Sequence, residues 1–182
     1  SKLSYATEDQ WSLLASRDAP VEDSAKAAVD VVIRAVETPP GAVHRLRSLL
    51  GGNETTIICI VSEAEVGVAD SEALVKAIAP QLDAQMGSRA AFVTRGMSGV
   101  QKTFADNCGD GSRVKHLMPF GQSSGFGKGE DIYAGGDDEE RDEVFGLVGD
   151  IYITVGGEGE VSQIAKAAKA QGAKVVPLMR TG

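Results

Sequence analysis

The sequence predicts an α/β protein with a Rossmann-like open parallel sheet of about five strands, helices on both faces, and a helical N-terminal extension. Short apolar runs rich in β-branched residues alternate with segments of helical periodicity, which is typical of a parallel sheet. Two of these runs end in glycine-rich turns that open a helix, as strands of open α/β sheets often do. A chain of 182 residues that is 42% hydrophobic is long enough for one packed core.

The C-terminal segment provides the clearest βαβ unit. An apolar strand over 151–155 runs into a turn with three glycines in four positions, at 156–159. Apolar residues with helical spacing follow, at Val161, Ile164, Ala165 and Ala168, and a second strand is predicted over 174–179. Free N–H groups at the start of a helix attract anions, so this turn is predicted to bind one, commonly a phosphate.

Three further strands are predicted upstream, over 55–61, 90–94 and 114–120. The second of them ends in a glycine-rich turn at 95–99, which opens a helix. The two glycine turns are therefore expected to converge on one crevice at the carboxyl edge of the sheet. The segment 121–139 is predicted to be one long loop at the same edge of the sheet, where it could cover the crevice as a lid.

The chain divides into a helical extension over 1–53 and a Rossmann-like nucleotide-binding domain over 54–182. The second helix of the extension carries an apolar stripe that is predicted to pack on the sheet, or against a neighbouring subunit or domain. A homodimer, or a place in a larger chain, would supply such a neighbour. The stripe consists of Val21, Ala25, Ala28, Val29, Val32, Ile33 and Val36.

Composition and missing motifs narrow the function classes. The net charge of −8 argues against nucleic-acid and anionic-membrane partners, and no apolar run approaches the ~20 residues of a membrane span. Two cysteines without a framework favour a reducing, cytoplasmic compartment, and no metal-ligand spacing is present, so no metal is predicted. The acidic run 137–140 is interpreted as a solvated helix start. Absence of GxGxxG after the first strand and of GxxxxGK[ST] disfavours dinucleotide dehydrogenases and P-loop NTPases.

Residues 55–182 resemble the Lonely Guy family and the wider superfamily of related sensor domains. The segment VTRGMSGVQKTFA resembles the family's GGGxxGLM turn, and DIYITVGGEGEVSQ resembles its PGGxGTxxE motif. Arg141 precedes Asp150 at about the spacing of the family's conserved arginine. The resemblance implies a Rossmann-like fold, usually dimeric, in enzymes that remove ribose 5′-phosphate from cytokinin nucleotides and AMP. Such proteins are often labelled lysine decarboxylases, and the superfamily also includes nucleotide- and ADP-ribose-sensing domains.

Three departures from the second motif weaken the expectation of catalysis. Val155 replaces the proline, Glu160 the threonine, and Gln163 the glutamate that is thought to stabilise a cationic ribosyl transition state. A neutral amide supplies no charge, and loss of one such electrostatic contact reduces rates by ~10²–10³. We therefore expect a sensor-type or catalytically weakened protein that binds a nucleotide or nucleoside derivative.

The candidate site follows from these turns. Arg141 is predicted to face phosphate or ribose, and Glu160 is the candidate to replace the missing carboxylate. No cofactor is expected beyond a bound nucleotide or phosphate. Two alternatives remain open: a nucleotide 5′-monophosphate phosphoribohydrolase, which would need a carboxylate near the ribose C1′, and a structural or interaction domain. The predicted nucleotide-binding residues are Ser62, Thr94, Gly96, Ser98, Gly99, Gly156, Gly157, Gly159 and Thr181.

Overall fold

A computed structural model describes residues 8–63, 69–156 and 158–178. The described chain forms a parallel sheet with helices on both faces, so the predicted Rossmann-like fold class is confirmed. The helices are α1 (Glu8–Ala15), α2 (Val21–Val36), α3 (Pro39–Leu49), α4 (Ala69–Met86), α5 (Val100–Asn107), α6 (Asp138–Val148) and α7 (Gly159–Ala170). The strands are β1 (Thr56–Ser62), β2 (Ala90–Thr94), β3 (Val114–Met118), β4 (Glu130–Tyr133), β5 (Ile151–Val155) and β6 (Lys174–Leu178).

The sheet has the order β4-β3-β2-β1-β5-β6, and every neighbouring pair is parallel. The chain builds outward from β1 to β4 on one side and then returns to place β5 and β6 on the other side. The order of the strands therefore reverses between β1 and β5. Open α/β sheets bind ligands at the carboxyl ends of the strands beside such a reversal.

Alternation along β1 explains how one strand supports two cores. Ile57, Cys59 and Val61 point into the core beneath α3, α6 and α7. Ile58 and Ile60 point the other way, into the core beneath α4 and α5. Because side chains in a strand alternate between faces, the continuous apolar run of β1 is what a strand covered on both sides requires.

The expectation of a single long loop over 121–139 is wrong, because the segment contains the edge strand β4. Its sequence, EDIY, buries only Ile132, so it has neither the apolar run nor the alternation that marks a strand. Main-chain pairing with β3 holds it in place, from Lys115 beside Glu130 to Met118 beside Tyr133. The acidic run that follows is an exposed helix start as predicted, since the Asp137 side chain accepts a hydrogen bond from Glu140 N at 2.9 Å.

The N-terminal helices use their apolar residues differently. Leu46 of α3 is fully buried in the core beside α6. In α2 only Ala27 and Val31 are buried, and most of the predicted stripe faces outward. Four valines of α2 are 56% to 83% exposed: Val21, Val29, Val32 and Val36.

No helix in the described part of the chain has the length and apolar character needed to cross a membrane.

Candidate functional site

The two glycine-rich turns lie at the same edge of the sheet, on either side of the end of β1. The turn at 95–99 leaves β2 and leads into α5, and the turn after β5 leads into α7. Because β1 lies between β2 and β5, the two turns lie on either side of Ser62, the last residue of β1. The prediction that both turns reach one edge therefore agrees with the topology.

The space between the turns is occupied by the side chain of Arg95, which is fully buried. Its Nη2 donates to the backbone oxygen of Ser62 at 2.8 Å. Its Nη1 donates to Asp142 Oδ2 at 2.8 Å and to Glu160 Oε2 at 3.0 Å. Arg95 thus crosses over the end of β1 and joins the turn after β2 to the start of α7. The crevice expected between the two glycine turns is therefore not open: the guanidinium of Arg95 fills it.

Gln101 binds both the main chain of Arg95 and the carbonyl of Ser62. Its Oε1 accepts a hydrogen bond from Arg95 N at 2.7 Å, and its Nε2 donates to the Ser62 carbonyl at 3.1 Å. The side chain is fully buried, so these bonds are shielded from competing water. One amide therefore fixes the backbone of Arg95 and shares the carbonyl that the arginine itself contacts.

Arg141 supports Arg95 and does not face an open crevice. Its side chain is 5% exposed, its Nη1 donates to the Arg95 carbonyl at 3.2 Å, and its Nη2 donates to Asp138 Oδ1 at 2.8 Å. Its Nε lies 2.7 Å from Asp142 Oδ1, as an ion pair without hydrogen-bond geometry. In this structure the predicted contact with phosphate or ribose would first require these bonds to break.

Asp142 is the residue that joins both arginines. Burial raises the pKa of its carboxyl, Arg95 and Arg141 lower that pKa, and the nearby Glu160 raises it again, with a net increase. A half-buried carboxyl whose pKa is raised beside a groove is typical of functional sites. Sequence reasoning missed both Asp142 and Arg95. The signals available were the adjacent Arg141-Asp142 pair and an arginine within the quoted glycine turn.

Two predicted ligand-contacting side chains are internal supports. Ser62 and Thr94 are both fully buried. Thr94 Oγ1 lies 2.8 Å from His116 Nδ1 and accepts from Gly96 N at 3.1 Å. Gly96 has φ +68°, and a side chain there would collide with Met118. These positions shape the turn after β2 from within.

The remaining predicted residues are distributed around the rim. Ser98, Gly156 and Gly159 are exposed, and Gly99 is half-buried. Gly99, Gly156 and Gly159 have positive φ, which favours glycine. The Glu160 side chain is 61% exposed although it contacts Arg95. Gly157 and Thr181 lie outside the described residues.

A groove of about 580 Å³ runs between α6 and α7, beside the Arg95 network. Asp142, Glu160 and Gln163 line it, so the residue at the family's glutamate position does face a concave surface. The other walls are acidic or apolar: Asp138, Glu139, Glu143, Ile164 and Ala167. Within the described ranges, no group of three or more histidine, cysteine or acidic side chains could hold a metal ion.

Comparison with known proteins supports the fold. No protein-family model matches the chain, and no curated protein matches it. The X-ray structure of TM1055, a target of the Northeast Structural Genomics Consortium, is similar, with a TM-score of 0.56 at 18% sequence identity. The match covers 66% of this chain and 72% of that chain. The likeness shows a shared Rossmann-like fold.

Proposed function

We propose that this protein binds a nucleotide or nucleoside derivative at the carboxyl edge of the sheet, as a sensor-type or catalytically weakened relative of the Lonely Guy group. One observation carries the proposal: a buried guanidinium, that of Arg95, lies beside the reversal of strand order and is held there by Asp142 and Glu160. Arginine presents planar, paired N–H donors that match phosphate oxygens.

Glu160 is the group that a phosphate would displace. Its side chain is 61% exposed, and an exposed ion pair contributes only about 0–1 kcal/mol because water competes for both charges. It also stands in the first turn of α7, whose free N–H groups favour an anion. Gly156 and Gly159 have no side chains, which permits a ligand to approach the backbone closely. Rotation of Glu160 into solvent would therefore expose Arg95 to a ligand at small cost.

Binding without efficient hydrolysis follows from the residues around the groove. Gln163 supplies a neutral amide in place of a carboxylate, and Arg141 is engaged by Asp138, Asp142 and the Arg95 carbonyl. The neutral Gln163 cannot stabilise a developing positive charge on a ribose ring, and the guanidinium of Arg141 is itself positive and would oppose such a charge. The proposed Lonely Guy relationship rests on the resemblance of the two motifs, and the Rossmann-like fold of the chain is compatible with it.

A second candidate function, hydrolysis of the N-glycosidic bond of a nucleotide, is favoured by Asp142. Its carboxyl has a raised pKa and lines the same groove as Gln163, which are properties of a general acid. This candidate predicts release of free base from AMP, and loss of that release in the Asp142→Asn variant. Release that persists in the variant would remove Asp142 from the reaction.

Calorimetric titration with AMP, ADP-ribose and cyclic nucleotides tests the proposed binding. We expect Glu160→Gln to bind phosphorylated ligands about two- to five-fold more tightly, because it removes the carboxylate that competes for Arg95. Glu158→Gln is the matched control: it deletes the same charge from the same turn, at an exposed side chain without a contact to Arg95 among the described residues.

Equal affinities of the two variants would place the ligand away from Arg95. Absence of binding to wild type and to Glu160→Gln at about 1 mM ligand would overturn the proposal and favour an interaction domain.

A further inference from the structure

One side of α2 is an exposed apolar surface. Among the described residues, six large apolar side chains are exposed, and four of them are valines of this helix, with 56% to 83% of their surface exposed. Single exposed apolar residues are ordinary, whereas a contiguous apolar patch marks an interaction site. The outer face of α2 is defined here as the surface formed by Val21, Ala25, Ala28, Val29, Val32 and Val36.

The contacts of the opposite side of α2 fix the direction in which the outer face points. Ala27 and Val31 are buried, and Arg34 Nη2 donates to the Gly136 carbonyl at 2.9 Å. At 3.6 residues per turn, the exposed valines lie on the far side of the helix from these contacts. The outer face therefore cannot turn inward unless these contacts break.

The outer face matches the surface of another helix. Its residues follow the i, i+3, i+4 spacing of a helix side that packs against a neighbour. The charged residues Glu22, Asp23 and Lys26 lie outside this arc of the helix. None of its residues lines the groove beside Arg95, so its occupant is independent of nucleotide binding.

A second copy of α2 is complementary to this face. When two copies pack antiparallel about a two-fold axis near Ala28, each Ala25 lies at the level of the partner's Val32. Val21 lies at the level of the partner's Val36, and the two copies of Ala28 meet at the axis. Small residues then oppose large ones, which fills the interface without voids. A two-fold interface requires this self-complementarity.

A parallel arrangement of the same two helices is less favourable. It would bring together the acidic first turns, which contain Glu22 and Asp23 in each copy, and like charges repel. It would also set Ala25 against the partner's Ala25 and leave a gap between them. We infer that two copies of this chain associate through the outer faces of α2, as an antiparallel helix pair.

The size of the outer face limits the strength of this association. A strip along 16 residues is about 24 Å long and offers a few hundred Å² of apolar surface, less than the roughly 800 Å² that each partner of a stable complex buries. We therefore expect a Kd of about 0.1 mM, so that the protein is monomeric at about 1 µM. Each copy stays folded on dissociation, because the outer face belongs to neither core cluster of the sheet.

Sedimentation equilibrium of wild type from about 5 µM to 1 mM measures the association. Val32→Lys places a charge in the interface and should weaken it at least about ten-fold, while thermal unfolding at about 1 µM stays that of wild type. Val176→Lys is the matched control, since it makes the same change at a 43% exposed valine of β6 and should dimerise within about two-fold of wild type.

Two of these measurements would overturn the inference. Wild type that remains monomeric at about 1 mM would show that a second copy does not cover the face. Equal weakening by Val32→Lys and Val176→Lys would place the contact between copies away from α2.

Disulfide formation tests the orientation of the helix pair. Cys59 and Cys108 are buried, so an introduced cysteine is the reactive thiol. Ala28→Cys should form a covalent dimer on oxidation at about 0.2 mM protein, because the two copies of residue 28 meet at the axis. Val21→Cys should not, since the two copies of residue 21 are offset by about 22 Å along an antiparallel pair, beyond the reach of a disulfide. A covalent dimer of Val21→Cys but not of Ala28→Cys would overturn the proposed pairing.

Discussion

Replacement of Arg95 by methionine tests whether the buried guanidinium holds the carboxyl edge together. The change keeps a long apolar side chain but removes the contacts with Ser62, Asp142 and Glu160. Removing one partner of a buried ion pair typically costs about 3–5 kcal/mol, because the other charge stays desolvated. The exposure and the remaining contacts of each partner of Arg95 narrow this range.

Asp142 accounts for most of the expected loss. Its side chain is 20% exposed and keeps its ion pair with Arg141, whose Nε lies 2.7 Å from Asp142 Oδ1, so the cost lies at or below the low end of that range. Glu160 is largely exposed and adds at most about 1 kcal/mol. The Ser62 carbonyl keeps its bond from Gln101 and is not left unpaired. We therefore expect Arg95→Met to lower the free energy of unfolding by about 2–4 kcal/mol at pH 7.5.

The loss should shrink on acidification. Burial holds the pKa of Asp142 above its ordinary value in the folded protein, and Arg95 lowers that pKa, so removing Arg95 raises it further. A carboxyl with a raised pKa binds more protons folded than unfolded, so the stability it contributes falls as pH rises through the folded pKa. Lowering the pH therefore restores stability to the variant more than to wild type.

Urea unfolding followed by circular dichroism measures both effects. With a slope of about 2 kcal/mol per molar urea, the midpoint should fall by roughly 1 to 2 M at pH 7.5 and by less at pH 5.5. The double variant Arg95→Met/Asp142→Asn is the control: it lacks the titrating carboxyl, so its loss should not shrink at acid pH. A loss in Arg95→Met below about 0.5 kcal/mol, or one that grows at pH 5.5, would refute the reasoning.

Two further substitutions test local features. Gly96→Ala should lower the free energy of unfolding by about 1–3 kcal/mol, because φ is +68° and the new Cβ collides with Met118. Gly172→Ala is the control: φ is +91° and no atom lies within 4 Å, so this variant should suffer the backbone strain alone. Equal losses of the two variants in urea unfolding would show that packing at Gly96 contributes nothing. Val32→Lys should change stability by less than about 0.5 kcal/mol, since this valine is 60% exposed. A drop above about 1 kcal/mol in thermal unfolding would mean that the outer face of α2 is covered in solution.

Much of the fold was predictable because it depends on local patterns. Five of the six strands are apolar runs that read as strands without any partner. Glycines follow the ends of β2 and β5 closely in the sequence, and the turns there have the positive φ that glycine adopts readily. The edge strand β4 was not predictable, since its residues are half-exposed and it exists through its pairing with β3. The exposure of the apolar residues of α2 was not predictable either, because helical periodicity identifies an apolar stripe but not which part of it contacts a neighbour.

The sequence by itself determined the order of the helices and of every strand except β4, the two glycine turns at one edge of the sheet, and the acidic composition. The tertiary structure alone decided what lies between those turns. Arg95 meets Asp142 and Glu160 across 47 and 65 positions of the chain, and a local pattern holds no information about contacts at that separation. Whether an arginine beside a glycine turn points at a ligand or is held by carboxylates depends on which helices the sheet order brings next to it. In this protein α6 and α7 supply the carboxylates, so the guanidinium is held at the edge where a ligand would bind.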